Sequence, residues 1–193
     1  MLSIRRHSTW MNHGRYIPKQ ERRYSIKSIE NMKQILKIER FYVKPPVNTT
    51  EFLNELDWYR RSEAPVQAYL TDWNLSGNEF FQDFIGQLYV LYPKYQVEDL
   101  WVAAYKQGDY AETHDHSGFD WSFVWYLDTC CDCPPLIFPN VKRPWLPPRV
   151  VAPKVGDLHI FPGKYHHYVP PHTCEHERIV VSGNLATYDG INS

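Results

Sequence analysis

The chain has 193 residues, 43% of them apolar and 16% aromatic, with 15 prolines. That length gives one domain with its own core and is too short for two, and the aromatic and proline content leans toward strands and turns. No run approaches the roughly 18–20 apolar residues of a membrane span, and the N-terminus lacks the apolar segment of a secretory signal, so a cytoplasmic protein is expected.

The net charge of −1 hides an uneven distribution: residues 1–40 carry +7 and the remainder −8. Residues 1–40 read as a basic, partly irregular N-terminal arm, and 41–193 as the folded domain. Such an arm suits nucleic acid or an acidic partner; a solvated tail, or one packed on the acidic body, accounts for the charge better.

In chain order, residues 1–25 show no period, and Ser28–Arg40 reads as a short helix or turn. Phe41-Tyr-Val43 before Lys-Pro-Pro46 marks the start of the domain. Asn48-Thr-Thr-Glu51 resembles a capping box, after which Phe52, Leu53, Leu56 and Trp58 fall at helical spacing. Ser76-Gly-Asn-Glu79 is a second such start, followed by a helical apolar face of Phe80, Phe81, Phe84, Ile85, Leu88 and Leu91 that ends before Pro93. From Val97 the pattern changes to short strands over 100–105, 122–127, 135–138, 149–152, 157–161, 167–169 and 178–186, separated by Gly, Pro, Asp or Cys. Two helices followed by at least seven strands predict an α+β, mainly β fold: a jelly roll with its N-terminal helices packed on one sheet.

Four cysteines stand in the chain. Cys130, Cys131 and Cys133 cluster in Thr-Cys-Cys-Asp-Cys-Pro-Pro, and Cys174 is alone. Adjacent cysteines with a one-residue gap miss the common zinc spacing, so they read as a turn bearing reduced thiols. An accessory metal site using Cys174 or His176 is the lesser alternative.

The histidines carry the chemistry. His114 and His116 in Thr-His-Asp-His are two apart, so on an extended strand both point to one face. A third imidazole from the distant Tyr-His-His-Tyr segment, His166 or His167, would complete a facial ligand set that leaves metal positions open. His159, His172 and His176 read as surface or supporting residues. Arg178 opens the apolar run Arg-Ile-Val-Val-Ser-Gly-Asn184; it reads as the anchor for a carboxylate co-substrate, or as a surface arginine paired with Glu175 or Glu177.

The spaced motifs resemble those of the 2-oxoglutarate/iron(II)-dependent oxygenases, within them the bacterial and phage branch related to prolyl 4-hydroxylases. Trp101, Tyr105, Gly108, Asp109, Tyr110, His114, His116, Ser122, Tyr126 and Leu127 fill matching positions, as do Phe161, Pro162, His167, Val169, Arg178 and Asn184. The likeness covers roughly residues 97–186. It implies a double-stranded β-helix, with iron(II) on His114, His116 and His167, and 2-oxoglutarate with its far carboxylate on Arg178. Tyr105, Tyr126 or Ser182 would add a hydroxyl there. The implied reaction is an O2-dependent hydroxylation with succinate and CO2 as co-products, on an unidentified substrate for which a peptidyl proline is the first choice.

Two departures stand out. The family favours H-x-D, so His116 replaces a carboxylate, with Asp115 and Asp120 as nearby acidic residues. Val180 stands where many relatives have serine, and Ser182 on the same strand face offers a substitute. Two rivals remain: a non-catalytic metal-binding module of this fold, and a cupin-like protein that would add Glu112 to the histidines. Trp101, Trp121 and Trp125 read as core rather than recognition residues.

Overall fold

The computed structural model describes residues 37–187. The expectation over Ser28–Arg40 therefore lies largely outside the described residues, and its end is not helical. Strand β1 spans Glu39–Tyr42 and pairs antiparallel with β9, Asp157–Pro162. A boundary at residue 40 thus cuts through a sheet strand.

The larger sheet has six strands. After β1 and β9 come β6 (Trp121–Asp128), β11 (Arg178–Thr187), β4 (Tyr95–Tyr105) and the short β3 (Tyr69–Leu70). The smaller sheet orders β2 (Val66–Gln67), β5 (Tyr110–His114), β10 (His167–Val169), β7 (Leu136–Phe138) and β8 (Arg149–Val151). Its ladders, like those of the larger sheet, are antiparallel. This is the expected jelly roll. Among the described residues no helix is long and apolar enough to cross a membrane.

The period-two alternation of β4 sorts its side chains between two cores. Trp101, Ala103 and Tyr105 face inward and join Tyr126, Val180 and Phe161 with Ala111, Leu136, Phe138 and Val169 of the opposite sheet. Leu100 and Val102 face outward and join Phe123, Trp125, Leu158, Ile160 and Val181 beneath the helices. With both faces covered, the strand reads as a continuous apolar run instead of an amphipathic one.

Two helices cover that outer face. Helix α1 is short, Thr49–Asn54; the Asn48 side chain makes no cap bond, and Thr49 Oγ1 instead donates to the Pro46 carbonyl at 2.6 Å. Helix α2 spans Gln82–Leu91, after two 3-10 turns at Leu75–Gly77 and Glu79–Phe81. The cap before it is Asn78, whose Oδ1 accepts from Phe80 N at 2.9 Å, so Ser76 has no capping role. Phe84, Ile85 and Leu88 are buried, and Phe84 stacks on Trp125 with ring centroids 4.4 Å apart. The Trp125 indole N–H donates to the Val43 carbonyl, tying the lead-in segment to the sheet.

Candidate active site

Strands β5 and β10 pair so that His114 and His167 are direct cross-strand partners. Partners of this kind put their side chains on one face at close range. His116 lies just past β5, where its N–H donates to the Gly163 carbonyl at 2.8 Å. The three rings converge, with centroids 4.4 Å (114–167), 5.2 Å (116–167) and 5.3 Å (114–116) apart. One nitrogen from each lies within 4.8 Å of the others.

Gly163 makes this approach sterically allowed. A Cβ there would stand 2.4 Å from the Phe119 carbonyl oxygen and 2.8 Å from that of His116. The sequence offered no sign of this role beyond a glycine following Phe161-Pro162.

Tautomers are set by the backbone. His114 Nδ1–H donates to the Glu112 carbonyl at 2.7 Å, and His167 Nδ1–H to that of Tyr165 at 2.9 Å. Each bond leaves Nε2 with its lone pair for a metal, the usual orienting arrangement. Burial also favours the neutral form: desolvation pushes His116 down to about 4 and His167 to about 3, and lowers His114 as well. Metal ligation requires unprotonated imidazole, and these are unprotonated throughout the neutral range.

No carboxylate joins the set. Asp115 Oδ1 accepts from Ser117 N, and its Oδ2 lies 3.5 Å from Nδ1 of the exposed His166. Asp120 accepts from the Thr187 N–H. Glu112 contributes its carbonyl to His114 while its side chain is exposed, so the extra glutamate of a cupin-like site is missing. Of the other histidines, His159 and His172 are buried rather than superficial, and His176 bonds Asp128.

Arg178 lies on the inner face of β11, opposite Tyr105 of β4, and is 2% exposed. Its guanidinium sits 4.1 Å from the Tyr105 ring centroid and donates from Nη1 to the Pro134 carbonyl at 2.8 Å, while Nε has no partner. The surface pairing with Glu175 or Glu177 is absent; Glu177 faces Lys106 instead. Among the described residues Arg178 makes no salt bridge, although a buried charge without a counter-ion costs several kcal/mol. A carboxylate entering the cavity would supply the missing counter-ion.

One narrow cavity is lined by His114, His116, His167, Arg178, Tyr105, Tyr126, Ser182, Trp101 and Phe161. Burial raises the Tyr105 hydroxyl and lifts Tyr126 to about 12, so both remain protonated donors. Trp121 and Trp125 lie instead on the helix side of the larger sheet. Asn184 faces neighbouring strands, accepting from Ser122 and donating to Asp99. A wider groove of about 580 Å³ beside α1, lined by Thr49, Tyr69 and Glu177, contains none of the three site histidines.

The jelly roll brings three inward imidazoles and a buried arginine into one cavity, a donor set of the kind non-haem metal sites use. Residues 99–184 match the family described as "Putative 2OG-Fe(II) oxygenase". Over this segment, which is under half of the chain, the sequence resembles the 2-oxoglutarate- and iron(II)-dependent oxygenases. No curated protein matches the sequence.

Solved structures share the fold at low identity. A Pseudomonas putida prolyl-4-hydroxylase is 16% identical with a TM-score of 0.58, covering 82% of this chain and 96% of its own. The collagen prolyl hydroxylase of Paramecium Bursaria Chlorella virus-1, solved with 2-oxoglutarate, is 17% identical at 0.52, covering 77% and 94%. HygX from Streptomyces hygroscopicus, bound to nickel, 2-oxoglutarate and hygromycin B, is 8% identical at 0.61, covering 86% and 88%.

Proposed function

We propose that His114, His116 and His167 hold the iron, that Arg178 takes the far carboxylate of 2-oxoglutarate, and that the substrate is a peptidyl proline. The observation that carries the ligand assignment is the buried, carboxylate-free Arg178 lining the same cavity as three neutral imidazoles. The donor set fits a divalent iron-group metal, for which imidazole is a suitable ligand. The unpartnered Nε and the planar guanidinium fit a carboxylate that accepts parallel charge-assisted bonds.

When bound, the iron supplies the redox chemistry by which oxygen is reduced as 2-oxoglutarate is oxidised to succinate and CO2. The chain's own groups do the positioning. The Glu112 and Tyr165 carbonyls fix two imidazoles by their Nδ1–H bonds. The Tyr105 ring holds the guanidinium from one side. Tyr126 and Ser182 offer hydroxyls along the cavity wall, and Trp101 and Phe161 exclude water there. Three neutral ligands also leave the site more positive than a two-histidine, one-carboxylate set, which favours a dianionic co-substrate.

The test is anaerobic titration of the iron(II)-loaded chain with 2-oxoglutarate, following the weak visible charge-transfer band of the chelate. A band in the parent that weakens in Arg178→Leu supports the assignment; no band with iron confirmed bound refutes it. The peptidyl reading draws on the likeness to prolyl hydroxylases, whereas HygX was solved with a small molecule. Proline-containing peptides should stimulate succinate formation above the substrate-free rate. If none does, oligonucleotides come next, because residues 1–40 carry +7. A reducing cytoplasmic setting accords with four free thiols.

A further inference from the structure

Away from the histidines, three thiols meet. Cys130 and Cys133 lie in the loop after β6, and Cys174 in the loop between β10 and β11. Their Sγ atoms form a triangle with sides of 3.5, 3.8 and 3.7 Å. Two sulfurs about 2.3 Å from one zinc at the tetrahedral angle stand about 3.8 Å apart, whereas a disulfide brings them to about 2.05 Å. The triangle has the dimensions of a metal-thiolate face.

Two further observations point the same way. The Cys130 N–H donates to Cys133 Sγ at 3.3 Å, the kind of bond that stabilises a thiolate in a two-residue knuckle. Beside the triangle sits His172, 1% exposed, whose Nε2–H donates to the His176 carbonyl at 2.6 Å and lies 3.3 Å from Cys174 Sγ, so the ring braces the Cys174 loop against the other two thiols. Its backbone is fixed from both sides, its carbonyl accepting from Gly108 N and its N–H donating to Asp109 O.

We propose that Cys130, Cys133 and Cys174 bind a structural zinc ion separate from the proposed iron site. The spacing is visible in retrospect: two residues separate Cys130 from Cys133, a C-x₂-C spacing, and the exposed Cys131 between them disguises the pattern. Three thiolate sulfurs select zinc over the harder iron(II).

The site also has a consequence for the chemistry. Pro134, whose carbonyl holds Arg178, directly follows Cys133, and Arg178 begins the strand four residues after Cys174. Zinc would therefore clamp together the two loops that fix the anchor. That consequence rests on the proposed role of Arg178, while zinc binding itself does not.

Metal analysis of the full chain, purified without added metal, tests the proposal. One zinc per chain is expected, retained when His114→Ala and His167→Ala remove iron ligands, and lost in Cys174→Ser. Cobalt exchange into the unmutated chain needs no variant to fold: it should give thiolate-to-cobalt charge transfer with the intense visible bands of a tetrahedral ion. Three of the four thiols should resist a thiol reagent until a chelator is added. Absence of zinc, zinc retained in Cys174→Ser, a Cys130–Cys133 disulfide by mass, or iron with inorganic sulfide at these residues would overturn it. Loss of the 2-oxoglutarate band with zinc still present would count against the Arg178 reading and not against this one.

Discussion

Replacing Arg178 with leucine separates binding from folding in a way that few substitutions in this cavity can. In the free protein the guanidinium is 2% exposed and has no carboxylate partner among the described residues. What it gains there is one bond to the Pro134 carbonyl and the Tyr105 ring face. These are worth about 1.5–3 kcal/mol and about 0.5–2 kcal/mol, against a burial penalty of several kcal/mol. The terms nearly cancel, so Arg178→Leu should leave the stability of the ligand-free chain within about 1–2 kcal/mol of the parent by urea denaturation. Binding is another matter. Truncating one member of a buried, hydrogen-bonded charge pair costs about 2–5 kcal/mol, or roughly thirtyfold to a few thousandfold in the 2-oxoglutarate Kd. The anaerobic charge-transfer titration reads that number directly, with iron content measured alongside. A Kd within threefold of the parent, or a loss of binding that merely tracks unfolding, would refute the anchor.

Other tests address the remaining parts of the site. His114→Ala and His167→Ala should each abolish tight iron binding, measured by equilibrium dialysis, whereas Glu112→Gln should not; equal affinities would sink the ligand set. His116→Asp should retain iron, since the position then carries the family's usual carboxylate. Gly163→Ala drives a methyl into the Phe119 and His116 carbonyls, so iron affinity should fall with far-ultraviolet dichroism preserved; unchanged affinity would show that the His116 turn gives way freely. Finally, burial holds His159 at about 4, with Asp157 opposing the shift and Arg40 and Arg149 adding to it. The unfolded histidine titrates near 6.5, so between these values the unfolded chain binds the extra proton and stability falls as pH falls. From pH 7 to 5 the loss from this group is about 2 kcal/mol, and His159→Gln should remove that part of the slope in urea titrations; an unchanged slope would contradict it.

The sequence conveyed the frame of the fold better than its edges. The strands over 122–127 and 178–186 were legible because they combine β-branched and aromatic residues with clear turn punctuation. Strand β5 was not read as a separate strand, since Tyr-Ala-Glu-Thr-His has no apolar alternation; its place is set by pairing with β2 and β10. The two-residue β2 and β3 are too short to carry a pattern of their own. Within the site, the two-residue spacing of His114 and His116 foretold convergence, but the choice of His167 over His166 needed the family frame. The structure shows the physical difference: His167 is buried beside Phe161 and Phe138, while His166 is exposed near Asp115. The Pro134 carbonyl that holds Arg178 left no trace in sequence, because a backbone acceptor has no residue type.

If Arg178 anchors the co-substrate as proposed, its burial sets selectivity as well as affinity. A carboxylate at that position satisfies a charge that the fold has already desolvated, so the cost of stripping water from the guanidinium is met during folding and not during binding. A 2-oxo acid without a second carboxylate could still reach the metal, yet it would leave the guanidinium as poorly partnered as in the free protein. Discrimination then comes from the unmet charge and needs no steric gate, which is how sites built around a buried polar group reject an analogue that lacks the matching group. Tyr105 reinforces this, because its ring covers one side of the guanidinium where water would otherwise compete. The anchor can be this selective only while Pro134 and the β11 strand stay in place, and both positions lie a few residues from the thiols of Cys133 and Cys174.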